Sequence, residues 1–434
     1  MLPPAAPLSE WLTWLESLSP TEINLGLARV QRVLERLDLP RPEHVLLIAG
    51  TNGKGSSVAM AGALLRAAGL HVGAYTSPHI SRYNERVVVN GVAASDTEII
   101  AAFEKIEAVR GDTELTYFEF GTLAAAVVFA TAELDVWLLE VGLGGRLDAT
   151  NAFEPTASLI TNISLDHCDW LGDDVETIAA EKAGIMRRGI PTVFGDTDVP
   201  EAIRRQADTC GASLLLRGRD FEIQIGEKQV WSWRGASGER RGLQPPGIAG
   251  EVQLSNAAAV LALLDVAGLA KAIDAELINT VLPTLTLAGR SQHLLVAGPG
   301  GENHEWLIDV AHNPAAAKVL ARTLASREPP GATYAIVGFL HDKDVAGVIG
   351  PLAEHVDNWI AITAASHRAI PANELARQVS NISGKACLVA ESPLDAIEFA
   401  RRSASENDRI LATGSFFTVG PILDQLKTES RPKT

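Results

Sequence analysis

The chain has 434 residues, 47% hydrophobic and 21% charged, with a net charge of −16 at pH 7. That length is too great for one ordinary core and fits two domains of roughly 100–250 residues each. The acidic balance argues against a nucleic-acid partner, since phosphate backbones demand basic surfaces, and an anionic substrate would need a locally built site.

Glu10, Trp11, Thr13 and Glu16 interrupt the N-terminal stretch, so it does not read as a signal peptide. Residues 44–49 form an apolar run that reads as a buried strand feeding a glycine-rich turn, and 56–68 then reads as a helix. Further strands are expected at 72–75, 136–141, 158–161 and 192–194, and helices at 96–110, 120–132, 175–183 and 255–267. Strands separated by helices imply a mostly parallel, doubly wound sheet. Between about 214 and 233 apolar and polar residues alternate, which predicts a small antiparallel excursion. The Pro/Gly-rich stretch 243–250 reads as a loop returning to the main domain. A second α/β series starts near Ala288, with strands at 306–310, 334–337, 359–363 and 410–413, which places the domain boundary at 286–289. No apolar run reaches the roughly 18–20 residues of a membrane span. Cys168, Cys210 and Cys387 are odd in number and lack CxxC spacing, which points to a reducing cytoplasm rather than a disulfide framework or a zinc site.

Three segments carry chemistry. In Gly50-Thr51-Asn52-Gly53-Lys54-Gly55-Ser56, glycines between a strand and a helix let backbone N–H groups face a phosphate at the positive end of the helix dipole. Lys54 would neutralise β/γ-phosphate charge and Ser56 could hold Mg²⁺. Gly55 departs from the standard P-loop by intervening between lysine and hydroxyl, and the bland reading is a glycine-rich turn with no ligand. Next, Glu140 ends an apolar strand before the glycines of Gly142-Leu143-Gly144-Gly145. Ligands bind at that edge of open α/β sheets, and a carboxylate there suits Mg²⁺, although a surface glutamate at a strand end is equally ordinary. Third, Asp166-His167-Cys168-Asp169 follows another strand, where His167 is either a ligand or a structural histidine.

With these segments stand Thr76-Ser77-Pro78-His79, Phe118-Glu119-Phe120-Gly121-Thr122, Glu181-Lys182-Ala183-Gly184 and Asp309-Val310-Ala311-His312-Asn313-Pro314. Leu340-His341-Asp342-Lys343-Asp344 and Gly414-Ser415-Phe416-Phe417-Thr418 complete the set. Together, in order from about Trp11 to Val419, they closely resemble the bacterial bifunctional dihydrofolate synthase/folylpolyglutamate synthases of the Mur ligase superfamily. The resemblance implies an α/β architecture: an N-terminal P-loop ATPase domain of the Mur-ligase central type (1–287), which binds ATP and pterin, and a smaller C-terminal Rossmann-like glutamate-ligase domain (288–434) that closes over it.

What the resemblance implies about the site is specific. ATP would place its phosphates on Thr51, Asn52, Gly53, Lys54, Gly55 and Ser56, with further nucleotide contacts from Asn256, Arg290, Asp309 and His312. Ser56, Ser77, Glu140 and His167 match metal positions, with two Mg²⁺ ions expected. Lys182 matches a lysine that is carbamylated in relatives; judged alone it would read as an exposed helix lysine. Lys54, Glu140, His167 and Lys182 are the expected catalytic set. The pterin side is expected from Asn24, Leu25 and Gly26, from Thr116, Tyr117, Phe118 and Glu119, and from Leu147, Asp148 and Ala149. Phe118 could stack on the pterin or aminobenzoate ring, or belong to the core.

The chain departs from the family at Asn24, often Asp in relatives, at Ser291, where an aromatic is usual, and at Cys168, where threonine is usual. The implied reaction activates a carboxylate as an acyl phosphate with ATP and couples it to L-glutamate, with dihydropteroate or a reduced folate as acceptor. The expected setting is the cytoplasm, and the expected state a monomer. A monofunctional folylpolyglutamate synthase is the nearest alternative. A cell-wall Mur ligase would need a further N-terminal domain before the loop at residue 50, and a non-catalytic ATP-binding protein would be expected to lack Ser77, Glu140 and His167.

Overall fold

The computed structural model describes residues 6–18, 25–297, 303–326 and 331–429. Two helices come first, α1 (Leu8–Leu18) and α2 (Ala28–Leu37). α1 buries Leu8, Trp11 and Leu15, a helical spacing that lays one face on the core. Next come β1 (His44–Ala49), α3 (Lys54–Ala67), β2 (Val72–Tyr75), β3 (Val87–Val89), β4 (Val92–Ala93), α4 (Asp96–Arg110), α5 (Tyr117–Thr131), β5 (Val136–Glu140) and β6 (Ala157–Ile160). They are followed by α6 (Cys168–Leu171), α7 (Val175–Ala183), β7 (Pro191–Phe194), α8 (Glu201–Cys210), β8 (Ser213–Leu216), β9 (Glu222–Ile225), β10 (Trp231–Gly235), β11 (Gly238–Leu243), α9 (Val252–Val266) and α10 (Ala275–Val281). The remainder is β12 (Gln292–Ala297), β13 (Asn303–Ile308), α11 (Pro314–Ser326), β14 (Thr333–Val337), α12 (Val345–Leu352), β15 (Asn358–Ala361), α13 (Ala372–Ser383), β16 (Cys387–Val389), α14 (Pro393–Ser403), β17 (Arg409–Thr413) and α15 (Phe416–Glu429).

The chain divides into two compact units. The first holds Met1–Ile163, Asp173–Pro246 and Leu254–Leu285; the second holds Ser164–Gly172, Gly247–Gln253 and Thr286–Thr434. A single cut near residue 287 therefore omits two short excursions of the second unit, and one of them carries Asp166 and His167.

In the first unit an eight-stranded sheet runs β4-β3-β2-β5-β1-β6-β7-β8. β2, β5, β1, β6, β7 and β8 pair in parallel, and β3 and β4 add an antiparallel edge. β5 is buried along its whole length, which is why such strands read as continuous apolar runs. The expected antiparallel excursion is the three-stranded sheet β11-β10-β9, in which Trp231 and Trp233 alternate inward. It extends to Leu243, beyond the expected span, and β8 within that span instead joins the main sheet in parallel.

In the second unit a six-stranded sheet runs β12-β13-β17-β14-β15-β16. All pairs are parallel except β12 with β13. Leu307, Ala335, Val337, Trp359 and Leu411 from its strands share one core with Leu320, Val348, Leu352 and Val379 from the helices. Among the described residues, no helix is long and apolar enough to cross a membrane.

Candidate active site

The phosphate-binding candidate is shaped by its own side-chain partners. Gly50 has φ +141° and Gly53 has φ +86°, a region that strains any residue with a Cβ. Space also forbids one: a Cβ on Gly50 would lie 1.9 Å from Thr161 Oγ1, and one on Gly53 would lie 2.6 Å from Asn256 Oδ1. Asn256 of α9 therefore rests against the loop, as a nucleotide contact requires. The N–H groups of Thr51 and Asn52 donate to Asn162, to its carbonyl at 2.9 Å and its Oδ1 at 3.1 Å. Those two groups serve the loop's shape, which leaves the start of α3, where a helix has N–H groups without intrahelical partners, as the candidate phosphate-facing element. Lys54 Nζ donates to the carbonyls of Gly50 and Thr51, both at 3.0 Å, which pins the ammonium over the loop. Ser56 is buried in the first turn of α3.

Glu140 ends β5 and is 4% exposed. Its Oε2 accepts the Ser77 N–H at 3.2 Å and lies 3.5 Å from the position a Cβ on Gly55 would take. The structure thus brings together Glu140 and Ser77, two of the four expected metal positions, and sets Glu140 beside Gly55, the residue before a third, Ser56. Carboxylate and hydroxyl oxygens are the hard donors that magnesium takes. Among the described residues there is no cluster of three or more His, Cys, Asp or Glu able to hold a metal.

The loop after Glu140 is fastened to the end of α7. Arg146 N donates to the Glu181 carbonyl at 2.8 Å, the Arg146 guanidinium pairs with the Glu181 carboxylate, and a Cβ on Gly145 would lie 2.9 Å from the Lys182 carbonyl. Lys182, in the last turn of α7, is 5% exposed, which corrects its reading as an exposed helix lysine.

Among the residues expected on the pterin side, Thr116 caps α5 and Tyr117 and Phe118 open it. Phe118 packs against Gly142, where a Cβ would meet its ring at 2.5 Å, and lies 6.0 Å from Tyr75. Glu119 does not present a free carboxylate: Oε1 accepts from Arg29 NH2 at 2.8 Å and Oε2 from Thr116 N at 2.8 Å. Asp148 is likewise engaged, accepting from Thr150 N, Thr150 Oγ1 and Leu143 N. Burial raises its carboxyl above the usual range, and these hydrogen bonds oppose the rise without cancelling it. Leu147 is half-buried and Ala149 buried beside it, and Leu25 and Gly26 precede α2 half-buried. Asn24 lies outside the described residues. Near this cluster His79 Nδ1 accepts from Arg86 Nε at 2.9 Å, and burial, then the Arg86 charge, lowers the imidazole to about 4.

The remaining expected residues belong to the second unit, as does His167. Asp309 accepts from Ser291 N at 2.7 Å and Ala311 N at 2.8 Å, and burial raises its carboxyl despite the nearby Arg290 charge. Arg290 lies over the Phe416 ring, 5.2 Å from its centroid. His312 Nδ1 donates to the Val310 carbonyl at 2.8 Å, which turns Nε2 to within 3.6 Å of Asp166 Oδ2. Asp166 is the hub: it also accepts from Asn313 Nδ2 at 2.9 Å and Lys343 Nζ at 3.0 Å. Burial opposes its ionisation, but the His312 hydrogen bond and the charges of His312, His167 and Lys343 outweigh it and hold the carboxyl far below the usual range. His167 takes φ +53° at the start of α6, its own N–H donating to Asp166. The sequence reading did not assign roles to Asn162, Asp166, Asn313, Lys343 or Phe416. Four of these stand inside motifs it quoted, and nothing local marks Asn162.

Comparison with known proteins places these features in a family. The Mur ligase middle domain matches residues 48–264, and the Mur ligase glutamate ligase domain matches residues 289–416. The dihydrofolate synthase/folylpolyglutamate synthase of Escherichia coli is 39% identical over 421 residues, covering 97% of this chain and 96% of the relative. Among solved structures, E. coli FolC in complex with DHPP and ADP superposes with a TM-score of 0.90 at 37% identity, covering 99% of this chain and 100% of that one. A bifunctional folylpolyglutamate synthase/dihydrofolate synthase with Mn, AMPPNP and L-glutamate bound gives 0.87 at 40% identity, covering 98% of each chain. Two domain matches in chain order, and a curated relative aligned over nearly its whole length, show that the chain belongs to the dihydrofolate synthase/folylpolyglutamate synthase family of Mur ligases.

Proposed function

We propose that the protein joins L-glutamate to dihydropteroate, giving dihydrofolate, and to the γ-carboxylates of folates, giving folylpolyglutamates, with ATP activating the carboxylate as an acyl phosphate. The observation that carries this reading is Glu140, buried at the end of β5, held by the Ser77 N–H and set beside Gly55 of the glycine loop. Relatives in the same family hold DHPP with ADP, and Mn with AMPPNP and L-glutamate.

A carboxylate resists amine attack because its oxygen is a poor leaving group, and phosphorylation removes that obstacle. The start of α3 and Lys54 bind the nucleotide phosphates and offset their charge. Ser56, Ser77, Glu140 and His167 would hold two magnesium ions, which when bound screen the repulsion between the attacking carboxylate and the departing ADP. Lys182 is proposed to be carbamylated: its burial suits a carbamate kept from bulk water, and the modified side chain would present an anion in place of a cation. Asn256, Arg290, Asp309 and His312 are proposed nucleotide contacts, Arg290 being steadied by the Phe416 face. Asp166 holds His312, Asn313 and Lys343 in one arrangement through a carboxylate that stays ionised. The glutamate amine then attacks the acyl carbon, phosphate leaves, and no protein group becomes covalently attached.

Mass spectrometry of reactions with ATP, magnesium and glutamate tests the reading directly. One added glutamate on dihydropteroate, and further additions on tetrahydrofolate, are expected. Addition to tetrahydrofolate alone would reduce the protein to a monofunctional folylpolyglutamate synthase, and addition to neither would overturn the proposal.

A further inference from the structure

We infer that the Arg29–Glu119 ion pair is the clamp that assembles the acceptor-binding side of the first unit, with Glu119 a positioning residue rather than a substrate contact. The inference rests on the acceptor reading above, which assigns the turn before α2 and the first turn of α5 to the pterin.

Those two segments lie 90 residues apart in sequence, and a side-chain ion pair joins them. Arg29 sits in the first turn of α2, the end of a helix dipole that disfavours a cation, so its place there calls for a compensating anion. α2 also lacks the usual local anchor: Leu27 occupies its N-cap without a side-chain cap bond. Glu119 supplies what is missing. Its side chain is 5% exposed, and Arg29 approaches it as a fork, NH2 to Oε1 at 2.8 Å and Nε to Oε2 at 3.4 Å. Oε2 simultaneously accepts the Thr116 N–H, so the carboxylate that receives the arginine also starts α5. On the other side the guanidinium runs along Gly26, where a Cβ would sit 3.7 Å from NH1. One continuous line of contacts therefore leads from Gly26 through Arg29 and Glu119 to the turn that carries Tyr117 and Phe118. Phe118 in turn packs on Gly142, in the loop after Glu140.

A carboxylate already shared by a guanidinium and a helix N-terminus has little capacity left for a ligand. Its effect on substrate is through geometry: with the pair broken, the turn at Leu25–Leu27 loses its tie to α5 while the glycine loop at Gly50–Ser56 keeps all of its own partners.

The test is a set of steady-state constants for acceptor and ATP in the wild type, Arg29→Ala, Arg29→Lys, Glu119→Gln and the double variant Arg29→Ala/Glu119→Gln, with thermal melting alongside. Glu119→Gln keeps one oxygen that can accept the Thr116 N–H while removing the charge and one acceptor, so it guards against simple loss of the helix start. The clamp predicts that KM for acceptor rises about tenfold or more, roughly 1.4 kcal/mol, while KM for ATP stays within about twofold. Arg29→Lys should recover part of the loss as a point charge without the fork, and the double variant should be no worse than the poorer single one. An unchanged acceptor KM in both single variants, or acceptor and ATP constants rising together with a fallen melting temperature, would overturn it. Absence of acceptor turnover in the wild type would instead sink the proposed function, so the two failures are distinct.

Discussion

Gly53, like Gly50, is a residue at which backbone conformation and space both restrict the glycine loop. At φ +86°, with Asn256 Oδ1 2.6 Å from any Cβ, Gly53→Ala should cost about 1–2 kcal/mol in backbone strain and push Asn256 off the loop. Calorimetry and ATP titration are expected to show a lower melting temperature and weaker nucleotide binding together. Asp148 supplies a second residue-level test. Its folded carboxyl lies above the unfolded value, so its contribution to stability is most favourable below about pH 4 and is lost as pH rises through the folded pKa. Asp148→Asn cannot ionise. It loses one acceptor at every pH, but its melting temperature relative to the wild type should improve between pH 4 and pH 7; a difference that stays flat or worsens would contradict the burial argument. At this scale the glycines, Lys54 and Glu140 were legible as candidates because they follow or end buried strands, the edge at which open α/β sheets bind ligands. Asp166 had no assigned role because its partner Lys343 is 177 residues away, and a contact of that range leaves no trace in local pattern.

The elements show why some segments announce themselves and others do not. β1, β2, β5 and β7 were readable because they are buried between helices and appear as short apolar runs, and α4 and α7 because their caps are written in Ser95 and Asp174. β4 is two residues long and exposed at a sheet edge, and β12 is an edge strand that is only partly buried, so neither shows the continuous burial of the central strands. α8 also went unread; four of its ten residues are charged and only Ala202, Ile203 and Ala207 are buried. At α5 the capping box joins structure to function: Thr116 Oγ1 accepts from Glu119 N while Glu119 Oε2 accepts from Thr116 N. Thr116→Ala should cost about 1 kcal/mol and Thr116→Ser much less, read as a difference of about 2–4 °C in melting temperature. Equal melting temperatures for the two variants would mean that the cap does not hold this end of the helix.

For the molecule as a whole, two α/β units with parallel sheets were expected from the alternation of strands and helices, and a doubly wound sheet is found in each. The finer partition was not readable. Ser164–Gly172 and Gly247–Gln253 belong by contact to the second unit although the chain on both sides of them builds the first. A net charge of −16 is compatible with anionic substrates because the cations proposed to meet them are local, Lys54 on its loop and Arg290 over Phe416. Glu140 is the carboxylate proposed to serve the phosphoryl-transfer step. The most direct measurement is glutamate-dependent phosphate release from Mg-ATP with dihydropteroate, wild type beside Glu140→Ala. Turnover is expected in the wild type and a loss of roughly 100-fold or more in the variant, with its melting temperature retained. Equal turnover in the two proteins would contradict that role of Glu140.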